Sequence, residues 1–272
     1  MGSGPGEPVV EVLAEEFGAI AALGDGLGPD DWELDSECPG WTVRDLVSHL
    51  IGIERTLLGD PAPAPVAEPP GHVRNALGAA NEAWVAERRD RSGQEVLDEF
   101  RAVTARRLVQ LGDMAPDRFD LVGPSPIGEV PYREFMAVRV MDCWVHEQDL
   151  RVAVGRPGQG GGAAAELSVD RLLGGVAFVV GKRAGAGEGQ SLRVELTGAV
   201  PRVVQVGVVG GKARPVAVTG DPTAGIVLDA ETFRRLACGR VDGDAVRSQG
   251  LVTVTGDGDL AGRVLAGLGF MI

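Results

Sequence analysis

The stretch RVMDCWVHEQDLR, residues 139–151, sets acids, an arginine and an imidazole into an otherwise apolar helical segment. At about 100° per residue, Arg139, Asp142, His146 and Asp149 fall within about 80° of one another on one face. Asp142 and His146 stand at i and i+4, where helical side chains are neighbours. A carboxylate and an imidazole so placed can grip one cation together, and they can equally form a plain local ion pair. The chain has only three histidines, His49, His72 and His146. His49 lies on another helical stretch, about 80° from the centre of its apolar stripe, where a side chain can face both a neighbouring helix and a cavity. In a helical bundle, inward residues from facing helices converge, and His49, Asp142 and His146 would bring two imidazoles and one carboxylate together. Three protein ligands leave a coordination position open, the pattern of a catalytic rather than a structural zinc site. Asp149, one turn beyond, is placed to fix the His146 ring or a water. The alternative for His49 is a hydrogen-bonded core histidine. His72, beside Gly71, reads as a solvated loop residue, and Cys143, about 100° round the helix from Asp142, reads as packed rather than catalytic.

The elements that must carry these residues are legible in the apolar spacing. Residues 8–26 repeat Val9, Leu13, Phe17 and Ile20 at helical intervals, and glycines followed by Pro29 end that helix. WTVRDLVSHLIGIERTLLGD, residues 41–60, is a helix with Thr42 as N-cap, Asp45 three residues on, and Trp41 and Leu46 as a hydrophobic staple. Its stripe is Val43, Leu46, Leu50, Ile53 and Leu57. The proline-rich residues 61–70 cross the surface without regular structure. Helices are expected over 72–90, with Val73, Leu77 and Trp84 inward, and over 93–114, with Val96, Phe100, Val103, Leu108 and Leu111 inward. PIGEVPYREF turns into the central helix, 132–154. GRPGQGGG supplies a linker, 156–162, between a helical domain, 1–155, and a second domain, 163–272. After a helical start, 163–183, that second part alternates like strands in SLRVELTG, VVQVGVV and PVAVTG. AGIVLDAETFRRLACG then reads as strand, Asp229 cap and helix, and LVTVTGDGDLAGRVLAGL repeats the pattern. The fold class is therefore a helical bundle followed by an α+β domain. GDGDLAG lacks the glycine order of a dinucleotide site and the lysine of a P-loop.

Composition excludes some partners. With 272 residues and a net charge of −13, the chain repels nucleic acid and anionic lipid. No apolar run nears the roughly 18 residues needed to span a bilayer. The N-terminal stretch has no basic region of the secretory type. Three widely spaced cysteines, Cys38, Cys143 and Cys238, suit a reducing cytoplasm better than a disulfide framework.

CPGWTVRDLVSHL and MDCWVHEQDLRVAVGRPG resemble the two signature regions of the mycothiol-dependent maleylpyruvate isomerase family. VTGDPTAGIVLDAETFRRLACGR and GLVTVTGDGDLAGRVL resemble that family's sterol-carrier-like C-terminal domain. The resemblance implies a DinB-like four-helix bundle ahead of that small α+β domain. It implies a divalent metal, usually zinc, held by a histidine on the second helix and a Glu-x-x-x-His pair on the last bundle helix. His49 and His146 match the histidines, while Asp142, one methylene shorter, stands where the isomerase has Glu. The resemblance further implies mycothiol as co-substrate, its thiolate held by the metal and attacking a small electrophile. The family isomerase also uses an arginine of its C-terminal domain; Arg240 and Arg247 answer to it by region only, and a surface role is the alternative for both.

Three functions follow as expectations. The first is a metal- and thiol-dependent isomerase or transferase. The second is a non-catalytic protein that binds a metal or small ligand, with a pocket in the C-terminal domain. In the third the metal site has decayed and the bundle is structural. A monomer and a homodimer are both compatible with the sequence.

Overall fold

In the computed structural model, residues 7–158 and 160–271 are described. Residues 1–6, on which the expectation about the N-terminal stretch partly rests, Gln159 of the glycine-rich linker and Ile272 lie outside them. The chain divides into two compact units, Met1–Gly158 and Gln159–Ile272.

In the first unit the first four α-helices start where the sequence supplies a proline or a side-chain cap for the loose N–H groups. Helix α1 (Pro8–Asp25) begins with proline, whose missing N–H costs nothing in the first turn. Helix α2 (Val43–Leu57) opens with a full capping box: Thr42 Oγ1 accepts from Asp45 N–H, and Asp45 Oδ2 accepts from Thr42 N–H. Helix α3 (Ala76–Ala86) is capped by Asn75, so it starts later than the 72–90 expected, and Leu77 is 56% exposed rather than inward. Helix α4 (Gly93–Gly112) has Ser92 and Glu95 as its capping box. A hairpin, β1 (Val122–Ser125) and β2 (Gly128–Pro131), replaces the simple turn expected there, and leads into α5 (Tyr132–Ala153).

Helices α1, α2, α4 and α5 close a four-helix bundle, α1 and α2 each touching both α4 and α5. Helix α3 lies against α2, where a Cβ on Gly52 would fall 2.5 Å from Trp84. The core includes Leu13, Phe17 and Ile20 of α1, Leu46, Leu50 and Ile51 of α2, Phe100 of α4, and Met136 and Val140 of α5. The buried face of α2 is wider than its apolar stripe, taking in His49 and Glu54 while Ile53 is only half-buried.

The second unit begins with α6 (Ala163–Gly174) and a short α7 (Val176–Phe178) that runs into a π-helical turn, Val179–Arg183. Its five-stranded sheet has the order β5-β4-β3-β6-β7. The strands are β3 (Ser191–Thr197), β4 (Arg202–Val209), β5 (Lys212–Val216), β6 (Ala224–Asp229) and β7 (Val252–Gly256). Only β3 and β6 run parallel among these pairs. Leu192, Val194 and Leu196 bury one face of β3 by strict alternation. Helices α8 (Ala230–Ala237), α9 (Gly243–Ser248) and α10 (Gly258–Gly267) complete the unit, capped by Asp229, Asp242 and Asp257. Helix α9 is too short for its periodicity to be read from sequence. Strand β5 starts at Lys212, three residues before the PVAVTG segment whose alternation predicts a strand, and ends at Val216. No helix of the described residues is long and apolar enough to cross a membrane.

Candidate metal centre

The middle of α5 and the middle of α2 face each other in the bundle, and both are unusually polar there. His49 Nε2 lies 3.6 Å from Asp142 Oδ2, and His146 Nε2 lies 3.8 Å from Asp142 Oδ1. The two imidazole rings meet edge to face, 5.0 Å between centroids. One donor atom from each of the three residues lies within 4.8 Å of the other two. The histidines are buried, whereas the Asp142 side chain is 30% exposed and marks the solvent side of the cluster.

A tetrahedral zinc with ligands at about 2.0–2.1 Å sets its N and O donors about 3.3 Å apart. The observed separations, 3.6 and 3.8 Å to different Asp142 oxygens and within 4.8 Å for the whole set, are wider than that, so the three side chains would have to close in on a bound ion. The donor chemistry fits a cation. Burial holds the His49 pKa below the usual imidazole value, so this ring is neutral and carries a lone pair. Its Nδ1 is buried and finds no hydrogen-bond partner among the described residues, which leaves the proton's place open to whatever Nε2 binds. Burial opposes ionisation of Asp142, but the Arg139 guanidinium and the two imidazoles outweigh it and hold the carboxyl well below its usual range.

Each of these candidate donors has a neighbour that holds its place. The His146 Nδ1 lies 3.1 Å from Asp149 Oδ2, which turns Nε2 toward Asp142 and His49. Burial works against a charged His146, yet the bond to Asp149, with Cys38 and the Asp142 carboxylate, pushes its pKa up to about 10. Arg139 donates from Nη1 to Asp142 Oδ2 at 2.5 Å. The same guanidinium donates to Glu54 Oε1 from Nε at 3.0 Å and from Nη2 at 2.7 Å. Glu54 Oε2 in turn accepts from Arg107 Nε at 3.1 Å. Behind His49 lies Trp41, its ring centroid 5.1 Å away, with Nε1 donating to Glu82 Oε2 at 2.9 Å. His72 is not a solvated loop residue. Its Nε2 is 3.1 Å from the same Glu82 oxygen, and its ring packs on Gly40, whose φ of +79° and missing Cβ leave the space.

A second donor group shares His146. Cys38 Sγ lies 3.5 Å from Asp149 Oδ2 and 3.9 Å from His146 Nδ1, and Cys38, His146 and Asp149 are all buried. Nothing in the sequence spacing marks Cys38, Glu54 or Arg107 as part of this cluster, although Cys38 stands inside the CPGW stretch that carries the family resemblance. Cys143 is fully buried beside Arg139, and burial raises its thiol pKa far above the usual value. Arg240 belongs to the second unit, where Nη1 donates to Cys238 O at 2.7 Å in the turn after α8; Arg247 lies on α9.

Comparison with known proteins shows the family and the fold. The family described as mycothiol maleylpyruvate isomerase N-terminal domain matches residues 13–151, just over half of the chain. The chain belongs to that family. Two uncharacterized proteins from two strains of Mycobacterium tuberculosis are each 30% identical over 161 residues, 59% of this chain and 74% of theirs. A crystal structure of the mycothiol-dependent maleylpyruvate isomerase superposes with a TM-score of 0.55 at 20% identity, covering 88% of this chain and 90% of that one. A histidine-to-alanine mutant of the isomerase gives 0.56 at 19% identity, covering 93% of each chain. These likenesses extend over both units, and the architecture is the one expected: a helical bundle followed by a sterol-carrier-like α+β unit. The matched family region contains all the residues of both donor groups.

Proposed function

We propose that this member of the mycothiol maleylpyruvate isomerase family is a metal- and thiol-dependent isomerase or transferase acting on a small electrophile, with mycothiol as the thiol. The observation that carries the reading is the convergence of His49 Nε2, Asp142 and His146 Nε2 beside the partly exposed Asp142 side chain.

A divalent cation held there, most simply zinc, supplies the charge that keeps a thiol co-substrate in its thiolate form at neutral pH. The protein's residues set how strongly that charge is felt. His49 and His146 donate as neutral rings, and the single negative charge of Asp142 is already shared with Arg139. The centre is therefore short of anions, and an incoming thiolate makes up the deficit. Trp41 and the bundle core keep water from the back of the cluster, which strengthens the attraction. Asp149 and Arg139 fix the donors before the co-substrate arrives, so little reorganisation is left for the reaction. In isomerisation the thiolate adds to a double bond, permits rotation and leaves; in transfer it stays on the electrophile.

The test is turnover of activated double-bond and other small electrophiles with mycothiol, by wild type and by His49→Ala. The reading predicts thiol-dependent turnover that His49→Ala abolishes. Metal binding with no thiol-dependent turnover of any electrophile would contradict it and favour a binding protein. For that second reading the α+β unit offers a cleft of about 460 Å³ lined by Arg240, Val241, Asp242 and Leu265.

A further inference from the structure

We propose that Cys38, His146 and Asp149 form a second cation position, on the opposite side of the His146 ring from His49 and Asp142, that takes a thiophilic divalent ion such as cadmium or zinc. The donor triangle has edges of 3.5 Å from Sγ to Asp149 Oδ2, 3.9 Å from Sγ to His146 Nδ1, and 3.1 Å from Nδ1 to Oδ2. A tetrahedral zinc with sulfur at about 2.3 Å and nitrogen and oxygen at about 2.0–2.1 Å sets such edges at about 3.3–3.6 Å. The three donors thus stand close to a ligand geometry without any movement of the backbone.

Charge and burial favour the same conclusion. Cys38 is 7% exposed, His146 8% and Asp149 0%, so an ion there is largely removed from water. Such an ion is costly unless its charge is balanced at short range. Thiolate and carboxylate together balance a divalent ion. In the first group Asp142 is the only anion, and Arg139 already sits on it. The two positions therefore divide by ligand type: nitrogen and oxygen at the solvent side, sulfur behind.

The positions also exclude each other. A neutral imidazole has one lone pair, so His146 serves either Nε2 or Nδ1. An ion at Cys38 releases the thiol proton to solvent and leaves the ring hydrogen on Nε2, which then cannot ligate on the other side. A thiophilic cation would empty the first position without touching His49 or Asp142. This inference rests on the donor geometry alone and does not require the thiol-transfer reading.

Cadmium added to the metal-free, full-length protein tests it through the ultraviolet thiolate-to-metal absorption. The expected result is such a band in wild type and in His49→Ala. In Cys38→Ser it disappears, and cadmium affinity falls by about tenfold or more. No band in wild type, a band that survives in Cys38→Ser, or one lost in His49→Ala would each overturn the proposal. If Cys38→Ser does not fold, cadmium NMR of the wild-type complex decides: a shift typical of sulfur coordination supports the position, and one typical of nitrogen and oxygen alone overturns it.

Discussion

His146 is the residue on which the chemistry turns, because each ring nitrogen has its own neighbours. With a pKa of about 10 the ring is protonated at neutral pH in the metal-free protein, and a cation must displace a proton to bind. Metal affinity should therefore rise with pH by about one logarithmic unit per pH unit up to about pH 10, as measured by calorimetric titration. The sign for stability is opposite. A folded-state value above the ordinary imidazole value of 6.5 stabilises the metal-free fold fully below 6.5, and that contribution is lost as pH rises to about 10. Asp149→Asn keeps the size of the side chain but loses the charged acceptor for Nδ1–H. It should weaken metal binding by about 10–100-fold while far-ultraviolet circular dichroism stays unchanged. Unaltered affinity would show that Asp149 does not orient the ring.

At the scale of elements, α2 and α5 bring charges inward that only the facing helix can neutralise. Glu54 of α2 is buried between Arg139 of α5 and Arg107 of α4. Glu54→Ala would leave two guanidinium groups buried without it, and a loss of about 3–5 kcal/mol is expected in urea unfolding. Glu16 of α1 is the opposite case. Burial and then the neighbouring Glu147 raise its pKa to about 8, against some relief from Arg151. Its protonated form stabilises the fold below the ordinary value of 4.5, and that contribution is lost as pH rises to about 8. Glu16→Gln should raise the Tm at pH 8 and leave it nearly unchanged at pH 4. The long helices and the β3 alternation were legible because their periods run over many residues. The α2 and α5 polar positions were legible as a stripe. Glu54 and Arg107 were not, because a buried ion pair looks like two surface residues until both helices are in place. The β1–β2 hairpin and α9 are too short to have a readable period, and His72 is anchored by Glu82, a contact that sequence spacing does not reveal.

At the scale of the whole molecule, the chain is two compact units, and all the donors of both cation groups belong to the first. A cation that binds only the folded state stabilises it by about 2.7 kcal/mol at a hundredfold excess over Kd. In scanning calorimetry of the full chain, zinc should raise the transition of the helical unit and leave the α+β unit's transition in place. The central claim is that His49, Asp142 and His146 hold a divalent cation, and zinc titration of the metal-free Cys38→Ser protein, with and without His49→Ala, tests it most directly. Removing the thiol leaves only the first group to bind. One zinc per chain, with affinity falling by more than about a hundredfold when His49 is also removed, is the predicted result. No binding in Cys38→Ser, or binding indifferent to His49, would contradict the account.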